Sequence, residues 1–169
     1  MKLEYQHILP ADFSADSRVW IYQSNRLFGM SEVLQIEEML EQFVESWNSH
    51  GTPVKGYANI FFGQFLIIMA DESATGVSGC STDSSVRLIK DMESRFNVQL
   101  FDRQTLAFVI KEKIQLLPLS QLNYAVENNF IDGNTLYFNN VVLNKKDLEE
   151  KWIIPVKESW LSVRVLERN

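Results

Sequence analysis

Val54-Lys55-Gly56-Tyr57-Ala58-Asn59-Ile60-Phe61-Phe62-Gly63-Gln64-Phe65-Leu66-Ile67-Ile68-Met69-Ala70 is the stretch on which the fold turns. It is dense in β-branched, aromatic and aliphatic residues. Its one interruption, Phe62-Gly63-Gln64, is a tight-turn signal, so the stretch reads as two antiparallel strands of a hairpin. On the N-terminal side, Val33, Ile36, Leu40, Phe43, Val44 and Trp47 recur at helical spacing while Glu37, Glu38, Glu41 and Glu45 fill the opposite face. Ser31 supplies an N-cap for this helix, His50-Gly51 places a glycine at its left-handed end, and Pro53 prevents its resumption. Before it, Val19-Trp20-Ile21-Tyr22 is a run of strand formers without clean alternation, as expected of a strand covered on both faces.

On the C-terminal side, Asp71 to Gly79 is polar and rich in small residues. It leads to a helix from about Ser84 to Phe96, with Val86, Ile89, Met92 and Phe96 on one face and Asn97 as its stop, and then to a strand over Thr105 to Ile110. The order strand, helix, strand, strand, helix, strand predicts an α+β fold of the ferredoxin-like split βαβ kind. In that arrangement four strands make an antiparallel sheet and both helices lie on one face, because each helix has a single apolar stripe to bury. Residues 1–115 then form the α+β sandwich core and 116–169 a C-terminal extension packed on it, one domain overall. In the extension, Pro118 starts a short helix, Leu136 to Phe138 and Val141 to Leu143 read as a small hairpin around Asn139-Asn140, and a charged helix runs from Lys145 to Trp152. Trp152 and Trp160 call for a surface to cover them, and the open sheet face is the expected one.

The chain has 169 residues, 46% of them hydrophobic and 22% charged, which places it among globular proteins and away from disordered ones. Its net charge of -6 comes from 22 acidic and 16 basic residues, a balance that repels phosphate backbones and anionic lipid, so nucleic acid and membrane surfaces are not expected partners. A single cysteine, Cys80, suits a reducing compartment, no secretory signal opens the sequence, and the longest apolar run falls far short of the ~20 residues of a membrane helix. A cytoplasmic location is the expectation.

The most distinctive stretch for chemistry is Gly76-Val77-Ser78-Gly79-Cys80-Ser81-Thr82-Asp83-Ser84-Ser85. Free N–H groups and the positive dipole end at a helix start favour anions, and the hydroxyls of Ser81, Thr82 and Ser84 beside Gly79 offer further donors. The same residue types are those that cap helices and close turns, so plain capping and turn chemistry is the favoured reading of the cluster. Cys80 ahead of that helix is a candidate nucleophile, with Asp83 or His50 to orient or accept protons; the competing reading is a buried, inert thiol. Only His7 and His50 are available as imidazole bases, and neither they nor Cys80 have the spacing of a metal site, so neither metal nor cofactor is expected. Tyr22, Asn25, Arg26, Trp47 and Trp160 are candidates to line a pocket between sheet and tail, Arg26 by gripping a carboxylate or phosphate through both guanidinium arms. Core packing is the alternative for the aromatics, and pairing with a glutamate for Arg26.

Val19 to Arg26, Trp47 to Gly51, Asp71-Glu72 and Ser78 to Val86 resemble a family of short uncharacterised bacterial proteins whose members often carry the label "ABC transporter ATPase". The segment Gly79-Cys80-Ser81-Thr82-Asp83-Ser84-Ser85 is the most specific part of that resemblance. The label implies a nucleotide-binding loop, but a Walker A loop needs Gly-Lys followed by Ser or Thr, and no glycine here precedes a lysine. The functional expectation is a module that binds a small ligand or a protein partner, possible as a homodimer through a sheet face or edge. The alternative is an enzyme that uses the Gly79 to Ser85 helix start as its anion site and Cys80 as its nucleophile.

Overall fold

The computed structural model describes residues 1–166. The hairpin at the centre of the sequence is the centre of the structure. Strand β1 (Arg18–Gln23), helix α1 (Met30–Ser46), the two-residue strands β2 (Asn48–Ser49) and β3 (Thr52–Pro53), β4 (Lys55–Phe61), β5 (Phe65–Asp71) and helix α2 (Gly79–Phe96) make up the first half. β5 pairs antiparallel with β1 on one side and β4 on the other, giving the order β1-β5-β4. All seven residues of β5 are buried. Its even-numbered side chains, Leu66, Ile68 and Ala70, join Ile36 and Leu40 of α1 and Ile89 and Met92 of α2 in one cluster. Its odd-numbered ones, Phe65, Ile67 and Met69, face a second cluster on the other side. A strand buried on both faces has no polar alternation, which is why Phe65 to Ala70 reads as unbroken apolar sequence.

The second half contributes β6 (Thr105–Ile110), β7 (Lys113–Pro118), α3 (Leu122–Glu127), β8 (Leu136–Phe138), α4 (Lys145–Lys151), β9 (Ile153–Pro155) and α5 (Ser162–Leu166). The four strands form a second antiparallel sheet in the order β7-β6-β8-β9. One face of it, through Ala107 and Phe138, closes over Phe65, Ile67 and Met69, with Trp152 seated among Phe61, Phe65 and Phe138. The other face, through Leu106, Phe108 and Tyr137, is covered by Leu122 of α3 and by Leu161 and Val165 beside or within α5. The result is four layers: α1 and α2, first sheet, second sheet, then α3 and α5.

The protein is thus mixed α+β with antiparallel sheets, but the expected four-stranded ferredoxin-like sheet is corrected. β6 does not join β1. The outer side of β1 is already taken: Val19 N–H donates to Leu143 O (3.0 Å), Arg18 bridges Asn144, and Arg103 Nη1 reaches Ile21 O (2.8 Å). β6 instead turns through Lys111-Glu112, both at positive φ, into β7, a strand the sequence reading passed over.

Other boundaries shift for local reasons. The N-cap of α1 is Gly29, whose N–H donates to Glu32 Oε2 (2.7 Å), and Ser31 lies inside the first turn. His50-Gly51 does not cap α1; with φ of 51° and 82° it is the tight turn between β2 and β3, while the helix stops at Ser46. Asn97 ends α2 in the left-handed conformation, as expected. Leu136 to Phe138 pairs with β6 and β9 rather than with Val141 to Leu143.

Candidate functional site

α2 starts at Gly79, not Ser84, so the small-residue segment is the first turns of a helix rather than a loop in front of one. Ser78 is the N-cap. Its Oγ accepts the Ser81 N–H (3.2 Å), and Ser81 Oγ accepts the Ser78 N–H in return (2.7 Å). Thr82 Oγ1 donates to Ser78 O (3.0 Å), Ser84 Oγ to Ser81 O (2.7 Å) and Ser85 Oγ to Thr82 O (2.7 Å). Ser81 and Ser85 are buried, and Trp47 Nε1 ties the end of α1 to this turn through Ser81 O (2.9 Å). The hydroxyls read as anion donors are spent on the helix's own backbone.

Gly79, Cys80 and Asp83 are exposed, so the thiol is not the buried small hydrophobe of the competing reading. His50, also exposed on its hairpin turn, lines the same shallow cleft of about 200 Å³ as Cys80 and Ser84, with Phe43, Trp47 and Asn48 forming its walls. The structure therefore gathers two of the three proposed catalytic residues; Asp83 does not line that cleft.

Arg26 grips a carboxylate through both arms, and that carboxylate belongs to the protein: Nη1 and Nη2 each donate to Glu32 at 2.8 Å, and Nη2 also donates to Phe96 O (2.6 Å). It latches the start of α1 to the end of α2, the glutamate pairing that was the alternative to its ligand-binding reading. The Arg26 guanidinium, helped by the Gly29 N–H, holds the Glu32 carboxyl down at about 2. Tyr22 is buried in the first core, edge-on to Phe101, and desolvation raises its phenol. The expected pocket between sheet and tail exists only as a cavity of about 80 Å³, near Gln23, Arg103, Tyr137, Asn140 and Trp160. Several of its polar atoms already have partners: Gln23 Nε2 donates to Thr105 O, Asn140 Nδ2 to Gln23 Oε1 and Trp160 Nε1 to Tyr137 Oη. A cavity of that size holds a few waters, not a ligand.

A larger feature went unread in the sequence. β4 is an edge strand, and between it and α1 runs an open groove of about 480 Å³ lined by Gly56, Tyr57, Ala58 and Asn59 of β4 and by Glu37, Glu41, Val44 and Glu45 of α1. Backbone groups alternate sides along a strand. Val19 turns its N–H away from β5, which by the sheet register makes the odd-numbered residues of β4 the ones facing β5. Gly56, Ala58 and Ile60 therefore face outward. Asn59 Oδ1 takes the Ile60 N–H (2.8 Å), and among the described residues nothing donates to or accepts from Gly56 or Ala58 on that side. The helical spacing of the glutamates and the edge position of the first hairpin strand in a βαββ order were the available signals.

Among the described residues no group of three His, Cys, Asp or Glu could hold a metal ion, and no helix is long and apolar enough to cross a membrane. In comparisons with known proteins, no family model matches the chain, and neither does any curated protein or solved structure.

Proposed function

We propose that this mixed α+β protein is a protein-binding module that captures an extended polypeptide segment on the open edge of β4. The observation that carries this reading is the pair of unpaired outward-facing residues, Gly56 and Ala58, at the floor of an open groove of about 480 Å³. An edge strand with free N–H and C=O groups is a template for one more strand, and main-chain hydrogen bonds then supply affinity. The test is a selection from a random linear-peptide display library on native protein, repeated on Ala58→Pro. Proline at an outward-facing edge position keeps the ladder to β5 while deleting the donor an added strand needs. Binders lost on A58P support the reading; binders indifferent to it contradict it.

The second reading, a thiol enzyme, is favoured by one observation, the shared cleft of exposed Cys80 and His50. In it His50 takes the Cys80 proton and the thiolate attacks an electrophilic carbon. The inward-turned hydroxyls of Ser81, Thr82 and Ser84 leave that cleft without side-chain donors from the segment for a developing oxyanion.

A further inference from the structure

We infer that the segment taken by the β4 edge carries lysine or arginine at every second position. The inference rests on the edge-capture reading and adds the chemistry of the partner. Ala58 and Ile60 side chains pack toward the α1 layer, and Gly56 faces it beside Trp47. Residues directly opposite one another in an antiparallel pair put their side chains on the same face. The partner residues that exchange hydrogen bonds with Gly56 and Ala58 therefore aim their side chains at α1, where Glu37, Glu41 and Glu45 stand exposed along the groove.

The spacing agrees as well as the sign. Glutamates four residues apart on a helix are separated by about 6 Å along its axis, and alternate residues of a strand by about 6.8 Å. A row of cations on one face of a strand thus meets the row of carboxylates nearly one to one. Cations four residues apart on a helical partner would keep a similar pitch, but a helix has its main-chain groups bonded internally and cannot pair with the strand edge. A second copy of this chain is disfavoured at the same place, because pairing two β4 edges would set both rows of glutamates along one seam. Gly56 matters to this geometry: a Cβ there would lie 2.7 Å from Trp47 Cε3, so the floor of the groove stays low only with glycine.

The experiment uses the full chain and fluorescein-labelled seven-residue peptides in low salt, read by anisotropy. One peptide alternates, Thr-Lys-Val-Lys-Thr-Lys-Thr; the second has the same composition with its lysines consecutive; the third replaces each lysine of the first by glutamine. The alternating peptide is expected to bind about tenfold more tightly than either other. Glu37→Gln with Glu41→Gln and Glu45→Gln, all at exposed positions, should remove that tenfold difference, and A58P should abolish binding. If A58P does not fold, slowed amide exchange at Gly56 and Ala58 on adding peptide replaces it. Equal binding of the glutamine and lysine peptides, both lost on A58P, overturns the basic partner and leaves the edge reading standing. Equal binding of all three that A58P leaves intact overturns both, and so does concentration-dependent self-association through β4.

Discussion

Gly56 has no side chain because Trp47 occupies the place where one would begin. Trp47 is buried, edge-on to Trp20 and held by its indole N–H on Ser81 O, so it cannot swing away. Gly56→Ala should cost about 1–3 kcal/mol in denaturant unfolding, the usual cost of overpacking a filled core. Cys80 is the opposite case, exposed on the first turn of α2. Timed iodoacetamide labelling should modify it in native protein about as fast as in denatured protein, and His50→Ala should change the rate by no more than about twofold. A fall of about tenfold in H50A would instead promote the thiol-enzyme reading. Residue roles were the least legible part of the sequence, because composition does not say where a hydroxyl points. Ser81, Thr82 and Ser84 carry the residue types of an anion site, and only the start of the helix at Gly79 rather than Ser84 showed them bonded inward. For Arg26 the sequence left a ligand's carboxylate and a glutamate both open, and the structure pairs it with Glu32.

At the scale of elements, α1 and α2 are held together at one end by the Arg26, Glu32 and Phe96 latch and at the other by Trp47 on Ser81. The latch gives acid sensitivity a definite sign. Glu32 ionises near 4.5 in an unfolded chain and at about 2 when paired, so its contribution is complete above pH 4.5 and is lost as pH falls from there through about 2. Asp71, whose carboxylate accepts from Ser73, the Ser14 N–H and Lys55, is lowered in the same direction and adds to that slope. Glu32→Gln should therefore flatten the pH dependence of unfolding between pH 4.5 and 2 while leaving the slope from Asp71 in place, measured by urea midpoints at each pH. Elements themselves were legible where one physical signal dominated: apolar periodicity for α1, two apolar runs about a glycine turn for β4 and β5, an asparagine in the left-handed region for the end of α2. They misled where one dipeptide serves two purposes. His50-Gly51 suits a helix end and a hairpin turn alike, and the unforeseen β2–β3 pairing decided between them.

For the whole molecule, the α+β class and the three strands β1, β4 and β5 of the first sheet were legible in the sequence, but not where β6 would go. That depended on residues 143–144 reaching β1 from more than a hundred positions away, a contact no local pattern announces. The second sheet then closes the first, and Trp152 is where they meet: fully buried, with Tyr5, Phe61, Phe65 and Phe138 around it and its N–H on Asn140 Oδ1 (2.9 Å). Trp152→Ala should destabilise the chain by about 3–5 kcal/mol and should loosen the contact between the layers rather than unfold one of them, so both sheets should lose amide protection together. With β1 closed off by Arg103 and Leu143, β4 is left as the open edge of the first sheet, and the groove beside it follows from the topology.

The most direct test of that edge as the working surface is amide hydrogen exchange at Gly56 and Ala58, in free protein and with the alternating lysine peptide at saturation. Both amides are expected to exchange quickly in the free protein and at least about tenfold more slowly in the complex, with β5 amides unchanged. Protection already present without peptide, or no added protection with it, would contradict the account.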